Sequence, residues 1–338
     1  MRVALPVSIL DLVSMRPGEA PGSAIALSVE LAQHAERWGY RRFWLAEHHS
    51  IAGLACSATA VLIGHVASAT KTIRVGSGGV MLPNHAPLVV AEQFGTLAAL
   101  YPGRIDLGLG RAPGGDGATL RALRRELRQT GDEFPELLEE LRNYLGPEQP
   151  FQRVKAYPGQ NSDLPITLLG SSDYSAQLAA RLGLPFAFAA HFAPDGLYQA
   201  ARLYLTQFRP SEALAQPWLM LGVPVMVAET DAAAQRLFTT PQQRFLRLIR
   251  SQPVELLPPV DRIDWADWEQ AAVESKLEAA IVGSNATVQA GLEALLARTG
   301  AHEIIAVTDT YDRADRLESC RRLAEVAAAI EARAPTAV

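Results

Sequence analysis

The sequence predicts an α/β fold in which eight βα units close into a parallel barrel, the TIM-barrel architecture. Segments of strand character alternate with segments of helical character along the chain, which is typical of a parallel sheet. Three successive strand candidates end in Glu47-His48-His49, in 76–79 and in 108–111, and functional residue types in such positions are typical of a barrel mouth. The 338 residues exceed the roughly 250 that a barrel needs, so two insertions are expected.

The individual elements follow from apolar patterns and their boundaries. Short apolar runs predict the strands, and longer runs bounded by glycine or proline predict the helices. Ser23 is a candidate N-cap of the first helix, which Gly39 closes. The predicted strands are 3–9, 43–46, 73–75, 105–107, 166–169, 186–189, 218–228 and 303–307, and the predicted helices are 23–38, 57–69, 87–100, 119–144, 172–182, 195–208, 285–299 and 314–332.

The two insertions are predicted after the fourth and the seventh strands. The first lies between Arg111 and Leu164, and the second between Glu229 and Gly283. No linker-like segment divides the chain, so residues 1–338 are predicted to form a single domain.

Composition excludes several classes of function. A net charge of −5 without a basic cluster argues against a nucleic-acid partner. Two cysteines cannot supply a disulfide framework or a cysteine-only zinc site. No apolar run is long enough to span a bilayer, and the N-terminal run resembles a strand rather than a signal peptide. A cytoplasmic protein with no membrane partner is therefore expected.

The helices predicted at 57–69 and 87–100 have almost no polar face. A barrel helix normally buries one apolar side against the sheet, so a second apolar side needs another partner. A homodimer formed through these helices is one interpretation, and burial beneath an insertion is the other.

Histidine follows the second strand, where an imidazole can act as acid, base or hydrogen-bond donor near neutral pH. Successive strand residues point to opposite sides, so Glu47, His48 and His49 cannot all bind one metal ion if the strand stays regular. The other strand ends offer mostly glycine, serine and alanine, so no metal site is predicted. The alternative for His48 is a buried histidine whose hydrogen bonds are satisfied by the backbone.

Glycine interrupts the third strand after Ser77, at Gly78 and Gly79. Such glycines mark either a bulge or a place where a flat ligand lies against the backbone. Gly108 and Gly110 do not form a dinucleotide fingerprint, because proline occupies position 113, where the third glycine is required.

A phosphate pocket is predicted near the fourth and fifth strands. Arg111 follows the fourth strand, and its guanidinium fork suits a phosphate. Gly170-Ser171-Ser172 precedes a helix with Ser175 one turn on, and the free N–H groups of a helix N-terminus bind phosphate. The alternatives are a surface ion pair at Arg111 and simple helix capping by serine.

These motifs resemble those of the luciferase-like flavin monooxygenases, the barrel family that includes bacterial luciferase, and they are most similar to its single-component branch. The resemblance covers nearly the whole chain. The matching tracts are WLAEHH at 44–49, RVGSGGVMLPNHAPLVVAEQFGTL at 74–97, YPGRIDLGLGRAPG at 101–114 and LGSSDYSAQLAARLG at 169–183. These tracts are specific for the family and not for a substrate.

The resemblance implies a role for each matched residue. His48 matches the active-site histidine beside the reactive flavin carbon, and Gly78-Gly79 match the pair whose cis peptide backs the isoalloxazine. Arg111 matches the arginine at the flavin phosphate, and Ser172 and Ser175 match hydroxyl residues at the same phosphate. Ser171 stands where luciferase has an acidic residue. Gly110 stands where luciferase has a reactive cysteine, which argues against aldehyde-dependent light emission. The expected cofactor-binding set is Ser77, Gly78, Gly79, Gly110, Arg111, Gly170, Ser171, Ser172 and Ser175.

The resemblance therefore implies a monooxygenase that uses reduced FMN and O2 to oxygenate a small organic substrate through a C4a-(hydro)peroxyflavin. A separate NAD(P)H:flavin reductase is expected to supply the reduced flavin, because no nicotinamide fingerprint is present. The second insertion matches the family's mobile lid and carries Trp265 and Trp268, which either cover the site or anchor the loop. Two alternatives are a hydride-transfer oxidoreductase that uses the deazaflavin coenzyme F420 and a non-catalytic flavin-binding barrel.

Overall fold

The fold is a closed parallel barrel, seen in a computed structural model that describes residues 4–112, 117–123 and 133–332. The strands are β1 (Val7–Asp11), β2 (Arg42–Leu45), β3 (Arg74–Ser77), β4 (Val80–Met81), β5 (Ile105–Gly110), β6 (Ile166–Gly170), β7 (Phe186–Ala189), β8 (Leu219–Val227), β9 (Ile281–Gly283) and β10 (Glu303–Val307). Eight of them follow the order β10-β1-β2-β3-β5-β6-β7-β8, and pairing of β10 with β8 closes the ring. The predicted TIM barrel is thus confirmed. The short strands β4 and β9, which pair with β5 and β8, were not predicted.

Helices surround the barrel, as the alternating pattern predicts. They are α1 (Pro21–Arg37), α2 (Thr59–Ala69), α3 (Pro87–Leu100), α4 (Gly117–Ala122), α5 (Phe134–Leu145), α6 (Asp173–Leu182), α7 (Leu197–Gln207), α8 (Asp231–Ile249), α9 (Asp267–Lys276), α10 (Asn285–Thr299) and α11 (Arg313–Ala329). None of the helices in the described ranges is long and apolar enough to cross a membrane.

Several predicted boundaries differ from the structure, and three of the differences change how an element begins or divides. The first strand begins after Pro6 rather than at residue 3, because proline has no N–H to donate to a neighbouring strand. The first helix begins at Pro21 and not after Ser23, since proline favours the first helical position. The helix predicted at 119–144 contains two helices, α4 and α5, and its residues 124–132 lie outside the described ranges.

A buried network of charges closes the amino-terminal end of the barrel. Glu303 accepts hydrogen bonds from Arg42 Nε at 2.7 Å and from Ser8 Oγ at 2.5 Å. Arg42 Nη1 also reaches Asp106 at 2.8 Å, and the Trp44 indole donates to the same carboxylate at 3.1 Å. Mutual pairing offsets the cost of burying these charges. The opposite end, where the strands terminate, is therefore the end left for a ligand, and we call it the barrel mouth.

The second insertion lies over the barrel mouth and has a small apolar core of its own. Trp265 packs into this core beside Phe238 and Leu246, whereas Trp268 is 64% exposed. Trp265 therefore anchors the insertion, and Trp268 faces solvent. Residues 254–256 of the insertion donate two N–H···O bonds, of 3.1 and 2.9 Å, to the loops after β2 and β1, which hold the insertion against the mouth.

The outer side of α2 and α3 is apolar and partly exposed. Val61 is 72% exposed and Leu100 is 62% exposed. The first insertion covers another part of α3, where Gly95 lies so close to Gly159 that an added Cβ would come within 2.2 Å of the Gly159 Cα. Burial beneath an insertion thus accounts for part of the apolar surface, and the remainder is available to another chain.

Candidate active site

The sequence-predicted site residues meet at the barrel mouth. His48 follows β2, Gly78 and Gly79 follow β3, and Arg111 follows β5. Residues 170–175 run from the last residue of β6 into the first turn of α6. Since β2, β3, β5 and β6 are consecutive neighbours in the sheet, these groups share one half of the mouth, which we call the flavin half.

His48 is uncharged near neutral pH. Burial, and next the positive charge of Arg244, lower the pKa of His48 to about 4. Its Nδ1 lies 3.6 Å from Cys56 Sγ, and its backbone N–H donates to the Cys56 carbonyl at 3.4 Å. Burial raises the pKa of Cys56 to about 12, so this thiol stays protonated and is not a nucleophile at rest. His48 therefore has the charge state of a proton acceptor.

Glu47 contacts two other histidines, His49 and His85. Its Oε1 lies 2.8 Å from His49 Nε2 and 2.8 Å from His85 Nε2, and its Oε2 accepts the Met81 N–H at 3.1 Å. The three side chains have metal-binding types, but separations of 2.8 Å are those of hydrogen bonds. The cluster leaves out His48, although β2 ends at Leu45 and the regular strand on which the sequence argument depended does not extend this far. It ties the end of β2 to the segment after Gly79.

Gly78 and Gly79 form a closely packed backbone platform. The peptide bond between them is cis, the geometry that the resemblance implies. A Cβ on Gly79 would lie 2.8 Å from the Gly108 carbonyl oxygen, so a side chain does not fit there. Ser77 Oγ donates to the Gly108 carbonyl at 2.8 Å, which engages this hydroxyl in strand pairing. The predicted cofactor contact of Ser77 would therefore be made by its backbone.

Arg111 and the serines surround the N-terminus of α6. The Arg111 guanidinium lies 4.6 Å from the Tyr174 ring, and within the described ranges no carboxylate pairs with it. Ser172 is the N-cap of α6, but its side chain makes no capping hydrogen bond. Ser175 is buried against Gly170, where an added Cβ would come within 2.3 Å of the Ser175 Oγ. A cation, hydroxyls and free N–H groups together fit a phosphate monoester.

The remaining residues near this pocket are compatible with an anion. Ser171 is half-buried on the loop before α6, and Gly110 ends β5, where an added Cβ would lie 3.0 Å from Met81 Sδ. The Asp173 carboxylate accepts a hydrogen bond from Gln199 of α7. Its negative charge is thereby drawn toward α7.

Three groups that the sequence did not single out line the other half of the mouth. His191 follows β7, Arg244 lies on α8 and Asp309 follows β10. Burial lowers the pKa of His191 to about 4. The strand-end criterion that identified His48 also applies to His191. No sequence signal places Arg244 here, because its position depends on how the insertion folds back.

A cleft of about 640 Å³ lies between α7 and α10, at the amino-terminal end of the barrel. Its walls include Arg298, whose guanidinium lies 3.8 Å from the Tyr198 ring. None of the sequence-predicted site residues lines this cleft, so it is separate from the mouth.

A parallel barrel with a glycine platform, an uncharged histidine and a phosphate-type pocket at its mouth defines a cofactor-dependent oxidoreductase. The family model described as luciferase-like monooxygenase matches residues 6–303. The chain therefore belongs to the luciferase-like monooxygenase family, a flavin-dependent family, and is an enzyme of the monooxygenase class.

Similar proteins span nearly the same length. The chain is 52% identical over 323 residues to the uncharacterized protein YvbT of Bacillus subtilis (strain 168). The aligned region covers 95% of this chain and 96% of YvbT. It is 48% identical over 314 residues to a luciferase-like monooxygenase of Escherichia coli (strain K12), at 92% and 94% coverage. The solved structure of apo-MsnO8 superposes with a TM-score of 0.85 at 38% identity, covering 95% of this chain and 98% of that one.

Proposed function

We propose that the protein is an FMN-dependent monooxygenase that uses reduced FMN and O2 to oxygenate a small organic substrate. The observation that carries the proposal is the convergence, in the flavin half of the mouth, of three features. These are a platform without side chains, an uncharged histidine, and an arginine with no carboxylate partner among the described residues. The platform suits the flat flavin ring, the histidine can take up a proton, and the arginine suits the flavin phosphate.

Binding is assigned to the chain's own groups. Arg111, the Ser172 hydroxyl and the first N–H groups of α6 would hold the phosphate through charge-assisted hydrogen bonds. The backbone at Gly78 and Gly79 would lie against the isoalloxazine. Reduced FMN, when bound, supplies the activation of O2. The second insertion, held by residues 254–256, would keep water from the ring.

His48 would hold or accept the proton that moves during oxygen transfer. The matched variant is His48→Gln, which keeps a hydrogen-bonding side chain of similar size but cannot take up a proton. We expect FMN affinity to stay within a few-fold, while product formation falls by roughly 100-fold or more. The consumed O2 should appear as hydrogen peroxide. Unchanged product yield in His48→Gln would show that His48 has no part in proton transfer.

The choice between FMN and F420 is tested by an anaerobic titration with both reduced cofactors, with oxidised FMN alongside. Solved barrels of this fold include a 3,6-diketocamphane monooxygenase in complex with FMN, 19% identical, and an F420-dependent secondary alcohol dehydrogenase, 14% identical. These show the fold alone. Selective binding of reduced FMN supports the proposal, whereas preference for F420 supports the hydride-transfer alternative. Tight binding of oxidised flavin without any product supports the non-catalytic alternative.

The phosphate pocket has a matched ligand control, since riboflavin is FMN without its phosphate. Arg111→Met should weaken FMN binding by about 1.5–3 kcal/mol and leave riboflavin binding unchanged. Equal loss for both ligands would place Arg111 at the ring or in the fold rather than at the phosphate.

A first substrate screen can use thioethers. The N-acetyl-S-alkylcysteine monooxygenase of Bacillus subtilis (strain 168) is 44% identical over 187 residues, 54% of this chain and 56% of that protein. Product carrying one added oxygen atom, detected by mass spectrometry, would identify this substrate class.

Two protein partners belong to the proposal. The exposed apolar side chains of α2 and α3, among them Val61 and Leu100, support a homodimer through these helices. A separate NAD(P)H:flavin reductase would supply reduced FMN. Reduction of protein-bound FMN by NADH or NADPH alone, without a reductase, would contradict the second partner.

A further inference from the structure

The half of the barrel mouth opposite the flavin half holds an arginine, Arg244, whose side chain is largely buried. Strands β7, β8, β10 and β1 bound this half. Arg244 reaches it from α8, with its side chain only 11% exposed. Because the proposed FMN contacts lie at the ends of β2 to β6, this half is left for the second reactant, and we call it the substrate half.

Arg244 is held through one nitrogen of its guanidinium, Nη1, which leaves the edge formed by Nε and Nη2. Its Nη1 donates to Ser14 Oγ at 3.0 Å and to the Asp309 carboxylate, and Ser14 Oγ donates to the same carboxylate at 3.3 Å. Within the part of the chain that the structure describes, Nε and Nη2 of Arg244 have no hydrogen-bond partner. Guanidinium donors form a rigid fork that matches a carboxylate, so the free edge has the geometry of an anion receptor.

His191 adds a second polar group with an unmet hydrogen bond. Its backbone N–H donates to the Gly222 carbonyl at 2.7 Å, and a Cβ on Gly222 would come within 2.7 Å of the His191 Nδ1. Glycine at position 222 therefore provides the room for this imidazole. Nδ1 is buried and has no hydrogen-bond partner among the described residues, and a buried polar atom of this kind favours a ligand that supplies one.

The charged groups around Arg244 carry no net charge, so an anion would be bound by the free guanidinium donors and not by an excess of positive charge. Arg244 pairs with Asp309, and Arg316 pairs with Asp11 at 2.9 Å, so these four groups cancel. Asp309 shares Arg244 and therefore competes with any incoming anion. An apolar or cationic ligand group would gain nothing from the free guanidinium edge.

We propose that Arg244 and His191 form a subsite for a carboxylate on the organic substrate, which makes small organic acids the substrate class. This inference rests on the proposed monooxygenase function, because only then is the bound acid a substrate. Binding of a carboxylate at Arg244 can be measured separately, without turnover.

The test is calorimetry with hexanoate and hexanamide, which share a chain and differ in charge. Both ligands are titrated into flavin-free protein and into protein saturated with oxidised FMN. We expect hexanoate to bind at least about tenfold more tightly than hexanamide, a difference of about 1.4 kcal/mol. Equal affinities, or undetectable binding of hexanoate, would overturn the proposal. A hexanoate preference in protein that binds no FMN would support the subsite while contradicting the proposed cofactor.

Two variants assign the preference to this subsite. Arg244→Met should abolish the hexanoate preference, and the matched control Arg250→Met should keep it, because Arg250 pairs with Glu269 elsewhere in the insertion. Asp309→Asn removes the competing anion and should raise hexanoate affinity severalfold without changing hexanamide affinity. A preference that survives Arg244→Met would overturn the proposal. If Arg244→Met does not fold, Asp309→Asn decides, and the absence of any gain would overturn the proposal.

Discussion

The free energy of unfolding should fall steeply as the pH drops from about 6.5 to about 4, because two histidines at the mouth are buried in the uncharged form. His48 and His191 both have a pKa lowered from 6.5 to about 4, in each case mainly by burial. The unfolded chain therefore binds protons in this range that the folded protein does not. Stability is present in full above pH 6.5 and is lost as the pH falls toward the folded-state pKa.

The size of the effect follows from the two pKa values. For one histidine with these values, the loss between about pH 7 and pH 5 is about 2 kcal/mol. Two histidines together give about 4 kcal/mol, a large share of the 5–15 kcal/mol that stabilises a typical domain. The Glu36 carboxylate accepts three backbone N–H groups, and its pKa lies at about 2. The stability that Glu36 contributes is lost only as the pH falls below 4.5, the ordinary pKa of a glutamate, toward about 2. This loss lies below the range from about pH 7 to about pH 5 over which the histidines act.

The assay is urea denaturation at about pH 7 and pH 5, followed by tryptophan fluorescence, for the native protein, His48→Asn, His191→Asn and the double variant. Each single variant should recover about 2 kcal/mol of the pH-dependent loss, and the double variant should recover most of it. The same loss in the double variant as in the native protein would refute the reasoning, because other groups would then titrate in this range.

Three further predictions concern the fold, the phosphate pocket and the dimer. Arg42→Met should lower the free energy of unfolding by about 3–5 kcal/mol, because it removes the arginine that bridges the buried Glu303 and Asp106 carboxylates and leaves Glu303 only the more distant Arg41, at 3.7 Å. Urea denaturation measures this loss. Gly170→Ala should weaken FMN binding by about tenfold or more, or about 1.4 kcal/mol, with riboflavin binding unchanged, since the added Cβ would press within 2.3 Å of Ser175 Oγ. Val61→Glu should convert the proposed dimer to a monomer in light scattering. The matched Val154→Glu, on the first insertion, should not. A native protein that is already monomeric would contradict the proposed dimer.

The sequence predicted the half of the site that depends on local chain order. Each strand end lies at the mouth once the sheet is parallel, so His48, the glycine pair and Arg111 could be placed together from their positions in the repeat. His191 satisfies the same criterion, since it lies two residues beyond the correctly predicted strand 186–189, but it was not singled out from the sequence. The predicted start of the first strand failed at Pro6, where hydrophobicity outweighed the missing N–H in the prediction.

The substrate half could not be predicted in the same way. Arg244 lies in an α-helix of an insertion, and periodicity places it on a helix face but not over a particular strand. Its position depends on how the insertion folds back, and hydrogen bonds from residues 254–256 hold the insertion to loops more than two hundred residues earlier in the chain. Such long-range contacts have no signature in local composition.

The charge of Arg244 connects the two halves of the mouth. It contributes to the lowered pKa of His48, so the unliganded protein holds that imidazole uncharged and weakly basic. A carboxylate bound at Arg244 would offset this charge and raise the pKa of His48, making it a stronger base when substrate is present. The pKa of His48, followed by NMR titration of the imidazole signals, should therefore be higher with hexanoate than with hexanamide. In Arg244→Met the two ligands should give the same value, and a ligand-dependent shift that persists in this variant would separate His48 from Arg244.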